Sequence, residues 1–385
     1  MEEIMEKMYL MTPGPTPIPP QVALEMAEPI IHHRSPQFQK IFAEVLEKLR
    51  YLFQTKNDIL LFASSGTGAM EAAVANLLSP SDRVIVVRGG KFGQRWAEIC
   101  VTYGIEIIPI DVQWGMAVEP QEIEKILQSG NSQPIKAVFT TLCETSTGTL
   151  TDIQKIGEVV KKSKAVLVVD AISGLAADDL RTDNWSVDVV VGGSQKGLML
   201  PPGLSFVSIS EKAWDIMEEK IPSYYFNFKK YKKVLSKPDT PWTPAISLIS
   251  GLQKSLRLIK EEGLENVFIR HQKLAAAVRD GIEAIGLKLF SKNPSNAVSA
   301  VRAPANINSS KLVSMMRDEF KVWIADGQGE LKGKVFRIAH LGYMQRFDVI
   351  IALSALEMTL AKMGYKLELG KAVAAAEEIL RGNYA

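Results

Sequence analysis

The feature that most restricts the fold of this sequence is a series of short aliphatic runs that alternates with helical segments between residues 35 and 209. The runs lie at 84–87, 105–110, 135–140, 165–170, 187–191 and 204–209. The runs are mostly apolar rather than regularly alternating, which is typical of strands that are covered on both faces. Helical segments such as 121–127 and 153–162 separate the runs. The pattern predicts an α/β fold with a mostly parallel sheet and crossover helices.

The chain is long enough for more than one domain. Its 385 residues correspond to about two or three domains of roughly 150 residues each. We predict an N-terminal arm (1–20), a large α/β domain (21–261) and a smaller α+β domain (262–385). The boundary falls near Glu262, within a long connecting helix predicted from the helical regions 245–262 and 264–285. The aromatic, proline-rich segment 221–243 is predicted to be neither a helix nor a flexible linker, but to lie along another surface.

Composition and charge exclude several classes of function. Lys and Arg number 45 and Asp and Glu 43, spread evenly, so neither a nucleic acid nor a membrane surface is an expected partner. The apolar runs end well before the ~20 residues of a membrane span. Cys100 and Cys143 have no metal-ligand spacing, and His32 and His33 would point opposite ways on an extended chain, so no metal is expected. With no targeting signal evident, a cytoplasmic location is predicted.

Three sequence features carry candidate chemistry. Small residues at 64–72 join an apolar run to a helix, and open N–H groups at such a helix start suit a phosphate. Asp170 ends an aliphatic strand, where a carboxylate can meet a cationic ring nitrogen. Lys196 lies among glycines just past another buried strand, and burial favours its nucleophilic neutral amine. Taken singly, the glycine turn and Lys196 fit an ordinary strand-to-helix turn and an exposed turn lysine better, and Asp170 fits a helix cap as well as a ligand contact.

The order of these features is more informative than any one of them. Lys196 follows Asp170 by 26 residues and one strand. A phosphate-suited helix start, a strand-end aspartate and a buried lysine are the three fixed points that pyridoxal phosphate requires.

A family resemblance extends this interpretation over nearly the whole chain. The motifs that carry it are Thr12-Pro13-Gly14-Pro15-Thr16-Pro17, His33-Arg34-Ser35, Ser65-Gly66-Thr67-Gly68, Phe92-Gly93-Gln94-Arg95, Glu144-Thr145-Ser146-Thr147-Gly148, Val169-Asp170, Gly193-Ser194-Gln195-Lys196, Pro201-Pro202-Gly203 and Lys334-Val335-Phe336-Arg337-Ile338. The sequence resembles the class V, fold-type I pyridoxal-phosphate aminotransferases, in particular the alanine/serine–glyoxylate (serine–pyruvate) group. The resemblance implies ping-pong transamination from alanine or serine to glyoxylate or pyruvate.

The resemblance also implies roles for individual residues. Lys196 would bind the cofactor aldehyde covalently and move the proton at the substrate Cα, and Asp170 would hold the ring nitrogen. Phe92 would stack on the ring, and Thr145 would bind the cofactor's 3′ oxygen. The implied phosphate contacts are Ser65, Gly66, Thr67 and Gln195.

Three more positions follow from the same resemblance. Arg337 would anchor the substrate α-carboxylate through two parallel hydrogen bonds, and Gly14 would lie at the substrate. Thr243 matches a position that reaches the phosphate in the neighbouring subunit, which implies a homodimer with shared active sites.

Several alternatives stay open at this stage. The sequence Cys143-Glu144-Thr145 is similar to that of 2-aminoethylphosphonate transaminases, although the residues after the glycine turn follow the alanine/serine–glyoxylate pattern better. Aspartate is a possible donor if Arg34 or Arg95 supplies a second cation. A non-catalytic accessory subunit could retain the fold, but the intact Lys196, Asp170 and Arg337 argue against it. Cysteine desulfurases need a cysteine in the C-terminal half, where this chain has none.

Overall fold

The computed structural model describes residues 6–129, 133–218 and 220–382. Its strands are β1 (Tyr9–Leu10), β2 (Asp58–Phe62), β3 (Arg83–Arg88), β4 (Glu106–Asp111), β5 (Ile135–Thr141), β6 (Cys143–Glu144), β7 (Thr149–Leu150), β8 (Val166–Asp170), β9 (Val189–Gly193), β10 (Ser205–Ile209), β11 (Lys288–Leu289), β12 (Val298–Arg302), β13 (Val322–Trp323), β14 (Ala325–Asp326) and β15 (Val335–Ala339). Its α-helices are α1 (Pro20–Ala27), α2 (Pro36–Phe53), α3 (Gly66–Leu77), α4 (Lys91–Thr102), α5 (Pro120–Gln128), α6 (Ile153–Val160), α7 (Glu211–Asp215), α8 (Phe228–Leu235), α9 (Ile246–Glu262), α10 (Leu264–Ala284), α11 (Ser309–Phe320), α12 (Arg346–Lys362) and α13 (Lys371–Leu380).

A seven-stranded sheet in the order β2-β10-β9-β8-β5-β3-β4 forms the large part of the fold. Only β10 runs antiparallel to its neighbours, so the predicted mostly parallel α/β sheet is confirmed. Alternate residues of β8 enter different cores: Leu167 and Val169 pack on one face, Val166 and Val168 on the other. Burial on both faces explains why β8 is apolar from Val166 to Val169.

A second, four-stranded sheet in the order β11-β12-β15-β14 lies towards the C-terminus. Its strands pair antiparallel, and they share a core with helices α10 to α13. The N-terminal strand β1 pairs with β13, so the start of the chain is attached to this C-terminal part. The division at residues 20 and 261 stays a proposal. In the described part of the chain, no helix is both long enough and apolar enough to cross a bilayer.

Two local predictions are wrong. The segment 221–243 contains the helix α8, whose start is capped by the Asn227 side chain accepting from the Lys230 N–H at 3.0 Å. The helix forms because the prolines lie outside it and because Phe228 and Tyr231 pack against Phe62. The expected long connecting helix near Glu262 is two helices, since Gly263 has φ 83° and ends α9.

Candidate active site

Lys196 lies in the turn that follows strand β9, and its side chain is buried. The residue is 8% exposed, and Nζ donates a hydrogen bond to the Pro13 carbonyl oxygen. Burial lowers the pKa of Lys196 to about 8. The amine is therefore much more often neutral near physiological pH than that of an exposed lysine.

The N-terminal segment packs directly on this lysine. Gly14 has φ 138°, and a Cβ added there would lie 2.5 Å from Lys196 Cε. Thr16 Oγ1 donates to the Lys196 carbonyl oxygen at 3.0 Å. Both the backbone conformation and the close approach require glycine at position 14.

Asp170 is the last residue of β8, beside β9 in the sheet and opposite Val191. It is 3% exposed, and its Oδ1 accepts the Ile172 N–H at 2.8 Å, while Oδ2 has no hydrogen-bond partner among the described residues. Burial raises the pKa of Asp170 to about 7. A cation beside the open oxygen would favour the ionised form and lower that pKa.

The glycine turn forms the start of helix α3. Ser65 is the N-cap but makes no side-chain capping bond, and it is exposed. A Cβ at Gly66 would lie 2.4 Å from the Ile172 side chain, so the helix start packs tightly behind Asp170. The buried Gln195 Oε1 has no partner in the described chain. Open helix N–H groups and an unpartnered amide fit a phosphate group, because rotation of the amide presents its NH₂.

Phe92 lies in the first turn of α4 and is half-buried. The Arg95 guanidinium is 4.8 Å from the centre of the Phe92 ring, and its Nη1 donates to Thr67 Oγ1 at 3.1 Å. Arg95 forms no ion pair within 4.0 Å in the described residues. The structure therefore brings a cation without a carboxylate partner to the glycine turn.

Thr145 and Arg337 meet in a buried group. Thr145 Oγ1 donates to Ser173 Oγ at 2.5 Å, and the Thr145 carbonyl accepts from Arg337 Nη1 at 3.1 Å. Arg337 is 5% exposed, and its Nε and Nη2 donate to the Asp326 carbonyl at 3.0 and 2.7 Å. Burial lowers the pKa of Arg337 to about 10. It has no carboxylate partner within 4.0 Å in the described chain, so a surface ion pair does not explain it.

Two predicted features lie apart from this group. Thr243 is exposed, and no hydrogen bond joins it to Lys196 in the described part of the chain. The rings of His32 and His33 are 4.8 Å apart, so the expectation that they point opposite ways is wrong. The chain turns there, with the Ser35 N–H donating to the His32 carbonyl at 3.0 Å. Even so, no cluster suited to a metal ion occurs in the described residues.

Sequence reasoning assigned no role to Glu144 or Ser173, although both are buried beside Thr145. Glu144 Oε2 accepts the backbone N–H groups of Phe92 and Gly93, both at 3.0 Å. The one available signal was an acidic residue between a strand and a run of hydroxyl residues. That signal does not reveal a partner 51 residues away in the sequence.

The sequence model of the family Aminotransferase class-V matches residues 8–344. The chain belongs to the class V aminotransferases. The ureidoglycine–glyoxylate aminotransferase of Bacillus subtilis has the same fold-type I architecture, with a TM-score of 0.94, 31% identity, and coverage of 99% of this chain and 100% of that one.

Relatives of this class V aminotransferase carry different names. The serine–glyoxylate aminotransferase of Hyphomicrobium methylovorum is 38% identical, over 97% of this chain and 95% of that one. The L-aspartate–glyoxylate aminotransferase of Paracoccus denitrificans is also 38% identical, with coverage of 96% and 95%. A protein named soluble hydrogenase, small subunit, of Synechococcus is 42% identical, with coverage of 98% and 99%.

Proposed function

We propose that this class V aminotransferase uses pyridoxal phosphate to transfer the amino group of alanine or serine to glyoxylate or pyruvate in a ping-pong cycle. One observation carries the proposal: a buried lysine with a lowered pKa lies beside a buried aspartate with an open oxygen, at the ends of two adjacent strands. The relative named serine–glyoxylate aminotransferase supports the substrate class.

The residues present fit the cofactor. Asp170 would hold the ring nitrogen, Phe92 would stack on the ring and Thr145 would bind the 3′ oxygen. The residues proposed to hold the phosphate are Ser65, Gly66, Thr67 and Gln195. When bound, pyridoxal phosphate supplies an aldehyde that takes up the amino group and a ring that withdraws electrons from the substrate Cα.

Lys196 and Arg337 would act on the substrate. The neutral amine of Lys196 binds the cofactor and then takes and returns the proton at Cα. Arg337 holds the α-carboxylate with its planar guanidinium, which fixes the orientation of the Cα–H bond. Gly14 keeps the N-terminal segment close over Lys196 and so limits the space for the substrate side chain. Arg337 is the one arginine assigned to a substrate carboxylate, which favours a small monocarboxylic donor.

We expect covalent attachment of the cofactor to depend on pH through Lys196. With a pKa of about 8, the neutral fraction of the amine rises nearly tenfold per pH unit below that value and levels off above it. The measurement is a stopped-flow experiment in which cofactor-free protein is mixed with pyridoxal phosphate. The rate at which the visible absorption band of the bound cofactor appears should level off above about pH 8. A rate that continues to rise to pH 10 would contradict the lowered pKa.

Replacing Arg337 with alanine should mainly weaken substrate capture. Removing one partner of a buried charge-assisted pair costs about 2–4 kcal/mol, or roughly 30- to 700-fold in apparent KM for alanine and serine. Arg337→Lys, which keeps the charge but loses the planar fork, should give a smaller loss. Reaction with ethylamine, which has no carboxylate, serves as the control and should be unaffected. Equal KM values for every amino acid in wild type and Arg337→Ala would contradict the assignment.

The function is tested with the full chain loaded with pyridoxal phosphate. Alanine or serine should bleach the visible band, and glyoxylate or pyruvate should restore it. A panel of donors and acceptors, including aspartate and 2-aminoethylphosphonate, followed by mass spectrometry of the products, identifies the preferred pair. A colourless protein that does not respond to added cofactor would instead support the non-catalytic accessory subunit. The name of one relative, soluble hydrogenase, small subunit, also favours that alternative.

Aspartate is a second candidate donor, because one observation favours it. Arg95 lies at the glycine turn without a carboxylate partner among the described residues, and one relative is named L-aspartate–glyoxylate aminotransferase. A guanidinium in that position can bind a second carboxylate. If aspartate bleaches the band faster than alanine and serine, the small-donor assignment is replaced.

We also propose a homodimer with shared active sites. Thr243 is exposed and is available to the phosphate of a neighbouring subunit. Leu24 and Ile30 are 68% and 72% exposed, and Ile30 lines a surface cavity of about 520 Å³. Apolar residues of an interface are exposed in this way when one chain is taken without its partner. Sedimentation equilibrium should give twice the chain mass of 42.5 kDa. A monomer that is fully active would contradict the proposal.

A further inference from the structure

Glu144 is a buried carboxylate that joins two parts of the candidate site. It is 4% exposed and lies in β6. Its Oε2 accepts the N–H groups of Phe92 and Gly93, and its Oε1 accepts the Ser146 N–H at 3.2 Å and the Ser146 hydroxyl. Every one of these donors belongs either to the first turn of α4 or to the loop that contains Thr145.

The start of α4 is built around this carboxylate. The first N–H groups of a helix have no partner within the helix, and the N-cap here is Gly90, which has no side chain to offer. A Cβ at Gly90 would lie 2.5 Å from Glu144 Cδ and from Ser146 Oγ. The Lys91 N–H donates to Ser146 Oγ at 3.1 Å. Residues 144–146 therefore pack directly against the start of α4.

Capping is one role of this carboxylate, as it is for Glu357 at the start of α13, but Glu144 also binds the loop that contains Thr145. Ser, Asp or Asn at the N-cap stabilises a helix start without burying a charge in the core. In the described chain Glu144 has no cation within 4.0 Å, so only N–H and O–H groups compensate its charge, at a cost in desolvation. What the arrangement adds is a rigid link between Phe92 on α4 and Thr145 in the loop.

We propose that Glu144 is a positioning residue that sets the position of the Phe92 ring relative to Thr145. Through these two residues it determines where the cofactor ring binds. The inference rests on the proposed function, in which Phe92 stacks on the cofactor and Thr145 binds its 3′ oxygen. The Thr145 carbonyl also accepts from Arg337 at 3.1 Å. A shift of this loop therefore also moves Arg337, the residue proposed to bind the substrate carboxylate.

The test compares two buried glutamates that cap helices. Glu357 is 2% exposed, and its carboxylate accepts the N–H groups of Gly370 at 2.8 Å and Ala372 at 2.6 Å, at the start of α13. Glu144→Ala and Glu357→Ala should lower the melting temperature of the cofactor-free protein to a similar extent. Only Glu144→Ala should raise the Kd for pyridoxal phosphate, by about 10- to 100-fold, and change the visible circular dichroism of the bound cofactor.

Two further variants show whether Glu144 acts through Phe92. Glu144→Gln keeps an oxygen that can accept the Phe92 and Gly93 N–H groups and loses only the acceptor for Ser146, so its Kd should stay within about threefold of wild type. In the Phe92→Leu background, Glu144→Ala should add little further loss, because the ring that it positions is already gone. If Glu144→Ala does not fold, Glu144→Asp, which is one methylene too short, takes its place in each comparison.

Three results would each overturn the inference. Glu144→Ala could leave the Kd for pyridoxal phosphate and the circular dichroism unchanged, or Glu357→Ala could change both to the same extent. In the third, the losses in Kd from Glu144→Ala and Phe92→Leu would be independent in the double variant. Failure of the cofactor assignment is distinguishable from each of these results, because wild-type protein would then bind no pyridoxal phosphate, and a different amino donor would leave all of these measurements unchanged.

Discussion

Lys196→Ala should show no measurable steady-state transamination, a loss well beyond the 10²- to 10⁴-fold effect of removing a general acid or base alone. The variant loses both the amine that binds the cofactor and the base that moves the Cα proton. It should still bind pyridoxal phosphate noncovalently, since the phosphate and ring contacts remain. Borohydride reduction followed by peptide mapping should place the adduct at position 196 in wild type and nowhere in the variant.

Lys212 provides the matched control for this experiment. Its ammonium also donates to a backbone carbonyl, that of Ala165, but it lies in α7, remote from Asp170. Lys212→Ala should keep both the adduct at Lys196 and full turnover. Steady-state activity in Lys196→Ala, or trapping of the adduct at another lysine of wild type, would refute the assignment and the function proposed from it.

Asp170→Asn should lower kcat by about 10- to 1,000-fold while the cofactor still binds. An opposite charge beside a ring nitrogen shifts the pKa of that nitrogen by roughly one to three units, and an uncharged amide does not hold the proton there. The ring nitrogen of the loaded variant, followed by nitrogen-15 NMR, should therefore lose its proton at lower pH than in wild type. Asp188→Asn is the control, since Asp188 is also buried but lies just before β9, at the opposite end of the sheet, where it accepts the Leu167 N–H at 2.9 Å.

The same variant should stabilise the cofactor-free protein at alkaline pH. Burial raises the pKa of Asp170 from 3.8 to about 7, so the folded protein holds a proton that the unfolded chain releases. Wild-type stability therefore falls as pH rises across that interval. The melting temperature of Asp170→Asn should exceed that of wild type by more at pH 8 than at pH 5. An equal or inverted difference would contradict the role of burial.

The parallel sheet was predictable from local patterns, and so was the order in which the candidate site residues follow its strands. The mostly apolar runs indicated strands covered on both faces, and β8 does divide its residues between two cores. The positions of Asp170 and Lys196 after such runs placed both residues at strand ends. Helix α8 was missed because what favours it, the packing of Phe228 and Tyr231 on Phe62, is a contact between residues distant in sequence.

The environment of each candidate residue required the folded chain. Spacing along the sequence predicts which strand or turn carries a side chain, because hydrophobic periodicity and turn residues act over a few positions. It does not predict that Gly14 packs on Lys196 or that Glu144 binds the start of α4. Nor does it predict that, among the described residues, Arg337 donates its hydrogen bonds to the carbonyl oxygens of Asp326 and Thr145. Burial and electrostatic surroundings depend on contacts between distant segments, and these contacts exist only after the two sheets and the N-terminal segment have come together.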